Sequence, residues 1–430
     1  MPQSRLLRHR VLRHWAKFLP LLLSALFFAG LSSAPARAAD PIKIGFGMGL
    51  TGGLAASGKA ALLGMKIWEE EINAKGGLLG RPVQLIYYDD QSNPATVPGI
   101  FTKLLEVDKV DLVTGDYGTN LLAPAMPIVI QHKMTFFALF GLDVNREFQY
   151  PRYFSMQPAG GLDPPVSFTK GFFEVAAAQS PKPQSLAIIA GDAEFPRNAA
   201  EGARKNAKDA GLKVVYDKTY PPTTTDYTPI VRAIDSTNPD VVLSLSYPPD
   251  AVGMVRAANE VGLKAKIFGG GLVGLQYATI KQQLGSQLNG IINYDFWEPA
   301  KTLSFPGIEE FLKKYQARAA SEGVDPLGYY LPPFAYANLQ VLEQAVEGAK
   351  SLDQDKIAEY LRSHTMKTVV GDIEYGPNGE WKEARVIQVQ FHDVKGSDLD
   401  QWKTDEKQTI VWPAKYATGK AVYPYSDAKK

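Results

Sequence analysis

The sequence predicts an α/β protein of two similar lobes, each built on a doubly wound parallel sheet. Short apolar runs that end in glycine recur, each followed by a helical stretch. That rhythm starts again near residue 185, and 430 residues are enough for two such lobes.

The first lobe opens with Ile42-Lys-Ile-Gly-Phe46, an apolar run closed by Gly47 and Gly49 and followed by a helix from about Lys59 to Asn73. Val83-Gln-Leu-Ile-Tyr-Tyr88 is a second strand. A helix through Phe101 to Glu106 and a strand Val110-Asp-Leu-Val113 continue the pattern. Near-continuous apolar strands of this kind are buried on both faces, as in parallel sheets covered by helices.

In the second lobe Ser185-Leu-Ala-Ile-Ile-Ala190 is the strand and Asn198 to Ala210 the helix. Strands follow at Lys213 to Tyr216, Val241 to Leu245, Ile267 to Gly269 and Gly290 to Asp295. Asn73-Ala-Lys with Gly80-Arg-Pro-Val-Gln-Leu-Ile-Tyr in the first half matches Asn206-Ala-Lys with Gly211-Leu-Lys-Val-Val-Tyr in the second. Helices are expected at Gly307 to Glu322, Pro333 to Lys350 and Asp355 to Ser363. The β-rich tail, Val386 to Phe391 and Ile410 to Trp412, needs a sheet to join. Met156 to Gly161, Asn293 to Pro299 and Val369 to Gly379 have the turn and extended character of crossings between lobes. The expected division is 40–157 plus 294–370 for one lobe and 158–293 plus 371–430 for the other.

Residues 1–39 are of another kind. Arg5, Arg8, Arg10, Arg13 and Lys17 precede an apolar stretch from Phe18 to Leu31, and the small residues of Ala34-Pro-Ala-Arg-Ala38-Ala39 follow. This is the pattern of a cleaved secretory signal, its apolar part shorter than the roughly 20 residues a bilayer requires. Cleavage removes six basic residues and no acidic one, taking the net charge from +1 to −5. An acidic surface argues against nucleic acid. The absence of cysteine excludes disulfides, a thiol nucleophile, cysteine-ligated zinc and a lipidated N-terminal cysteine. A freely diffusing periplasmic monomer is expected.

Several motifs invite chemistry. Gly53-Leu-Ala-Ala-Ser-Gly58-Lys59 satisfies most of a phosphate-cradling loop set between a strand and a helix, but Ala60 stands where a magnesium-ligating hydroxyl is needed. What remains is a glycine-rich turn at a helix start, favourable to an anion or dipole, with Ser57 as a contact candidate. Asp89 and Asp90 could form an acid/base pair, yet adjacent strand residues point to opposite faces. A strand-end solvation and helix-capping role is preferred. His132, His364 and His392 form no ligand-spaced pair, so no metal is expected, and the nucleophile elbow G-x-S-x-G is absent. No cofactor is called for. Tyr117, Phe136, Phe137, Phe140, Phe195, Tyr247, Tyr294, Phe296, Trp297, Tyr329 and Tyr330 lie at or just past strand ends or helix starts. So many rings near the carboxyl edges of two sheets suggest a ligand cleft walled by aromatics.

From Lys43 to about Gly379 the chain resembles the branched-chain amino-acid-binding family of type I periplasmic solute-binding proteins. The resemblance rests on Gly49-Leu-Thr-Gly52 with Gly58 and Gly64, Glu71-Ile-Asn-Ala-Lys-Gly-Gly77 with Gly80, and Tyr88-Asp-Asp90. Asp226-Tyr-Thr-Pro229, Pro239-Asp-Val-Val242 and Ala257-Ala-Asn-Glu-Val-Gly262 extend it. It implies two lobes joined by a three-stranded hinge, no enzymatic activity, and a small ligand passed to the membrane permease of an ABC importer. A receptor-linked sensor is the alternative, and a hydrolase or nucleotide-dependent enzyme a more distant one.

The resemblance also implies site residues. The ligand carboxylate is expected at Gly118-Thr119-Asn120, with further contacts from the stretch containing Phe140 and Gly141, and from Phe195 and Tyr247 in the second lobe. The family's acidic partner for an α-ammonium is expected where Leu272 stands. A buried ammonium without a carboxylate is costly. Unless Asp192, Glu194 or another acid substitutes, the expected ligand is a carboxylate or amide with an apolar or aromatic body.

Overall fold

The structure, a computed structural model, describes residues 40–429. The expected export signal at 1–39 lies outside the described residues. The chain begins with β1 (Ile42–Met48), α1 (Ala55–Ala74) and β2 (Val83–Asp89). A helix Val97–Thr102 follows and widens into a π turn at Lys103–Val107, beginning earlier than its apolar residues suggest because Pro98 is accommodated in its first turn. After it come β3 (Leu112–Thr114), β4 (Phe136–Ala138) and β5 (Tyr153–Ser155). All pairings are parallel, in the order β2-β1-β3-β4-β5. Strands β4 and β5 are only three residues long, too short for a periodic signal.

The second lobe contains α2 (Pro164–Ala177), β6 (Ser185–Gly191), α3 (Glu194–Ala210), β7 (Lys213–Tyr220), α4 (Thr228–Asp235), β8 (Val241–Ser246), α5 (Pro248–Val261), β9 (Ile267–Leu272) and β10 (Ile292–Asp295). The chain then returns to the first lobe with α6 (Ile308–Glu322), α7 (Leu331–Ala349), α8 (Gln354–Ser363) and the hairpin β11 (Met366–Thr368) with β12 (Gly371–Ile373). There α7 lies along α1, tied by Trp68 Nε1 to Glu343 at 2.9 Å. Lys314 of α6 reaches Glu71 of α1 at 2.7 Å. The tail ends in β13 (Ile387–Phe391), antiparallel to β10, and β14 (Gln408–Trp412), antiparallel to β13 at the sheet edge.

The second sheet therefore runs β14-β13-β10-β9-β8-β6-β7, and its parallel part repeats the order of the first. In each lobe the winding direction reverses beside the first strand, between β1 and β3 and between β6 and β8. Open α/β sheets bind ligands outside the carboxyl ends of such strands. The chain passes between the sheets three times, at 156–163, 296–307 and 374–386.

Helices approach closely where side chains are absent. A Cβ on Gly202 of α3 would lie 2.1 Å from the Pro165 carbonyl oxygen of α2. The same closeness removes the phosphate-loop reading. Helix α1 begins at Ala55, so Ser57, Gly58 and Lys59 belong to it, and a Cβ on Gly58 would meet the Gly49 carbonyl oxygen at 2.1 Å. Backbone fills the space a phosphate would need. Asp89 staples the β1–α1 turn, accepting from the N–H groups of Leu50 and Thr51, from the Thr51 hydroxyl and from Gln91 N–H. Its slight burial acts to raise its pKa, but these hydrogen bonds outweigh that and hold the carboxyl below its usual range.

Candidate functional site

The first-lobe wall is made by the loops after β3 and β4. Tyr117 forms a bridge with Phe140, Gly118 N–H donates to the Phe140 carbonyl at 2.8 Å, and Leu142 N–H donates to Thr119 Oγ1 at 3.0 Å. These bonds join the two loops into one surface. Gly118 has φ 118°, a conformation that favours glycine and turns the chain so that Thr119 faces the cleft.

Beneath this surface lie Asp90 and Asp116, both fully buried. Asp116 Oδ1 accepts from Tyr117 N–H at 2.6 Å, and Asp90 Oδ1 from Ser92 N–H at 2.7 Å. Burial, and then the facing Asp90 carboxyl, push the Asp116 pKa well up. Asp90 is thus a support of the floor rather than a helix cap.

The second-lobe wall is formed by Phe195 at the start of α3, Tyr247 after β8, Val273 after β9 and Tyr294 on β10. Gln157 from the first crossing and Tyr330 from the start of α7 close the hinge side. Rings dominate the contacts. Phe195 lies 5.8 Å from Tyr247, Phe140 is edge-on to Phe296 at 5.2 Å, and Phe296 is parallel to Tyr330 at 6.0 Å. Tyr277 meets Tyr330 edge-on at 5.5 Å.

The lobes are closed on one another. Tyr247 Oη donates to Asn120 Oδ1 at 2.9 Å, Tyr277 Oη donates to Ser57 Oγ at 2.7 Å, and the hydroxyls of Tyr294 and Tyr330 meet at 2.9 Å. At the rim Asn198 donates to the Leu142 carbonyl, and Arg146 pairs with Glu201 at 2.9 Å. Burial pushes the Tyr117 pKa up to about 12 and those of Tyr247, Tyr277, Tyr294 and Tyr330 well above the usual phenol value. All five are neutral hydroxyls at physiological pH, able to donate. The closed cavity has about 20 Å³ of water-accessible space, little more than one water molecule needs.

Of the sequence candidates, Tyr117, Gly118, Thr119, Phe140, Gly141, Phe195 and Tyr247 line this cavity together. Ser57 and Asn120 sit one layer back, each the acceptor for a tyrosine of the opposite lobe. Leu272 is not brought to it. It lies within β9, and its N–H and carbonyl are both bonded to the Asn293 side chain at 2.9 Å. The next residue, Val273, reaches the cavity instead, because neighbouring strand residues face opposite ways. Asp192 and Glu194 line a separate outer cavity of about 580 Å³ at the cleft mouth. Phe136 is core, edge-on to Phe101, while Trp297 and Tyr329 pair beside α6.

Sequence reasoning missed Gln157 and Val273 as lining residues, and listed Tyr294 and Tyr330 only among the rings. The position of Gln157 in an inter-lobe crossing was the one available signal. No lining residue of the inner cavity carries a charge. Among the described residues no group of three or more His, Cys, Asp or Glu is placed to hold a metal ion.

Two α/β lobes closed over a small, ring-lined, uncharged cavity at paired switch points define a solute-binding architecture. The chain belongs to the periplasmic binding protein family, whose model matches residues 41–391. It is similar to Leu/Ile/Val-binding protein homolog 7 of Brucella abortus, 27% identical over 390 residues, which cover 87% of this chain and 94% of the relative. Its fold matches a branched-chain amino acid transporter substrate-binding protein from Streptococcus pneumoniae in complex with isoleucine. The TM-score is 0.70 at 19% identity, covering 87% of this chain and all of that one. It matches equally a solute-binding protein of an ABC transporter from R. palustris in complex with 4-hydroxybenzoate, with TM-score 0.71, 20% identity, and coverage of 83% and 95%. Members of this family are solute-binding proteins of transporters, not enzymes.

Proposed function

We propose that this protein captures a small aromatic acid, or a similar carboxylate or amide with an apolar body, and delivers it to the membrane permease of an ABC importer. In this reading the chain is exported to the periplasm with loss of 1–39. The two lobes open and close about the three crossings at 156–163, 296–307 and 374–386. The ligand first meets Gly118 and Thr119 on the first lobe, and Phe195 and Tyr247 then close over it less tightly than they meet here, since the roughly 20 Å³ of the closed cavity does not hold a ring. Binding energy shifts the open-to-closed equilibrium.

The observation that carries the ligand class is the inner lining, which combines six aromatic rings with no carboxylate. An α-amino acid would bury its ammonium there without a counter-charge, whereas rings stack favourably on rings. The similar solved structures hold isoleucine in one case and 4-hydroxybenzoate in the other, and the lining favours the second kind.

The test is a thermal-shift and calorimetric screen of the purified protein with benzoate-type acids, small aliphatic acids, amides, leucine and valine. A true ligand at a thousand times its dissociation constant adds about 4 kcal/mol of stability, a readily measured shift. Tight binding of leucine or valine with benzoates inert overturns the ligand class.

A further inference from the structure

We infer that closing of the lobes is coupled to uptake of a proton at the rim of the cleft, so that the solute is held more firmly on the acidic side of neutrality. This rests on the opening and closing of the lobes proposed above, and not on the identity of the ligand.

The device is a cluster of five charged side chains that meet across the cleft. Arg146, in the first lobe, reaches Asp143 of its own loop at 2.5 Å, Glu201 on α3 of the second lobe at 2.9 Å, and Asp163, the cap of α2, at 3.8 Å. Lys205, one turn beyond Glu201, holds the other oxygen of Asp163 at 2.6 Å. Arg146 balances Asp143 on one side, and Lys205 balances Asp163 on the other. Closing adds Glu201 to Arg146, so the closed cluster sets three carboxyls against two cations.

Asp143 is the carboxyl best placed to take up the proton. Its side chain is 9% exposed, against 38% for Asp163 and 49% for Glu201, and an uncompensated charge costs most where water is excluded. Burial lifts its pKa, Arg146 lowers it, and Asp163 and Glu201 raise it again, with Lys205 opposing them, to about 6. Glu380 and Tyr153 also act on Asp143 from the third crossing and β5, and Tyr150 and Arg362 line the same outer cavity. Burial raises the pKa of Glu380 to about 8 and those of both tyrosines above the phenol value, so these three stay neutral between pH 5 and 7, while Arg362 stays charged.

Opening takes Glu201 away and uncovers the loop, because the neighbouring Leu142 carbonyl is bonded to Asn198 of α3. The Asp143 pKa then falls toward its ordinary 3.8. A group whose pKa is higher in the closed form stabilises that form as pH falls through the closed value. With about 6 closed and 3.8 open, the closed-to-open ratio rises about tenfold from about pH 8 to about pH 5.

The chain has no cysteine, so K356C in the first lobe and K264C in the second, both exposed, can carry a fluorophore pair. Energy transfer is read against benzoate concentration over this pH range. The concentration for half-closure should fall about tenfold in wild type, stay at its low-pH value throughout in D143N, and vary much less in E201Q. Asparagine suits the left-handed backbone at 143, φ 65°, so D143N keeps the fold. A flat wild-type profile, or a slope that survives in D143N, overturns the coupling and leaves the ligand reading intact. If leucine closes the labels and benzoate does not, the ligand class fails and the same titration with leucine decides the coupling. If neither solute moves the labels, a ligand-free distance that is flat with pH overturns it as well.

Discussion

Replacing Tyr277 by phenylalanine should weaken ligand binding by loosening the closed form, with the effect falling on release. Tyr277 follows β9 in the second lobe, and its hydroxyl crosses the cleft to Ser57 Oγ on α1 at 2.7 Å. Both residues are almost fully buried in the closed form, 3% and 1% exposed. Opening separates them into water, where each finds other partners. The variant therefore leaves Ser57 unmatched only when the lobes are closed. An orphaned buried hydroxyl costs roughly 1–3 kcal/mol. At about 1.4 kcal/mol per tenfold, the closed-to-open ratio falls by roughly 5- to 100-fold, and the dissociation constant rises by the same factor if closure dominates binding.

Stopped-flow release together with calorimetry is the assay. The off-rate should rise and the on-rate should change little, because in the proposed cycle capture begins on the open first lobe. Adding Ser57→Ala to Tyr277→Phe removes the orphan, so the double variant should recover part of the loss. Unchanged affinity and off-rate in the single variant, or a double variant as weak as the two singles added, would refute the role of this contact in closure.

Two further outcomes follow from groups away from the cleft. Lys281 is 1% exposed, its ammonium 5.2 Å from the Trp402 ring, and it acts electrostatically on Asp295 and Glu298. Burial raises both carboxyl pKa values and Lys281 pulls them down, so K281M should cost about 3–5 kcal/mol of stability, measured by urea denaturation, with E298Q restoring part of it. Glu380 is 2% exposed, and burial lifts its pKa from 4.5 to about 8. Between those values the folded protein holds a proton that the unfolded chain lacks. This contribution is complete below about pH 4.5 and is lost as pH rises through about 8, on the order of 5 kcal/mol in all. The denaturation midpoint of E380Q should therefore be less pH-dependent than that of wild type over this interval.

Some of the site was legible because it follows from local chemistry. Gly118 and Thr119 come directly after a short buried strand, where a hydroxyl and a glycine turn have few structural duties. The doubled strand-glycine-helix rhythm likewise predicts two lobes, because buried parallel strands have no polar face to interrupt their apolar runs. Trp412 and Val386 mark a tail that must join a sheet, and β13 does so against β10 with β14 against β13.

Other features depend on distances the sequence pattern does not carry. A shift of one residue separates Leu272, locked to Asn293, from Val273, which faces the cavity, and strand alternation decides between them only once the register is known. Ser57 looks like a loop residue until α1 is seen to begin at Ala55. Its partner Tyr277 lies 220 positions away, and Asn120 and Tyr247 are 127 apart. The sequence by itself determined the two-lobed α/β class, the absence of cysteine chemistry and the loops that would carry the site. Tertiary structure alone decided which rings meet and which tyrosines hold the lobes together. Each of these arises where two sheets with separate local patterns are brought face to face.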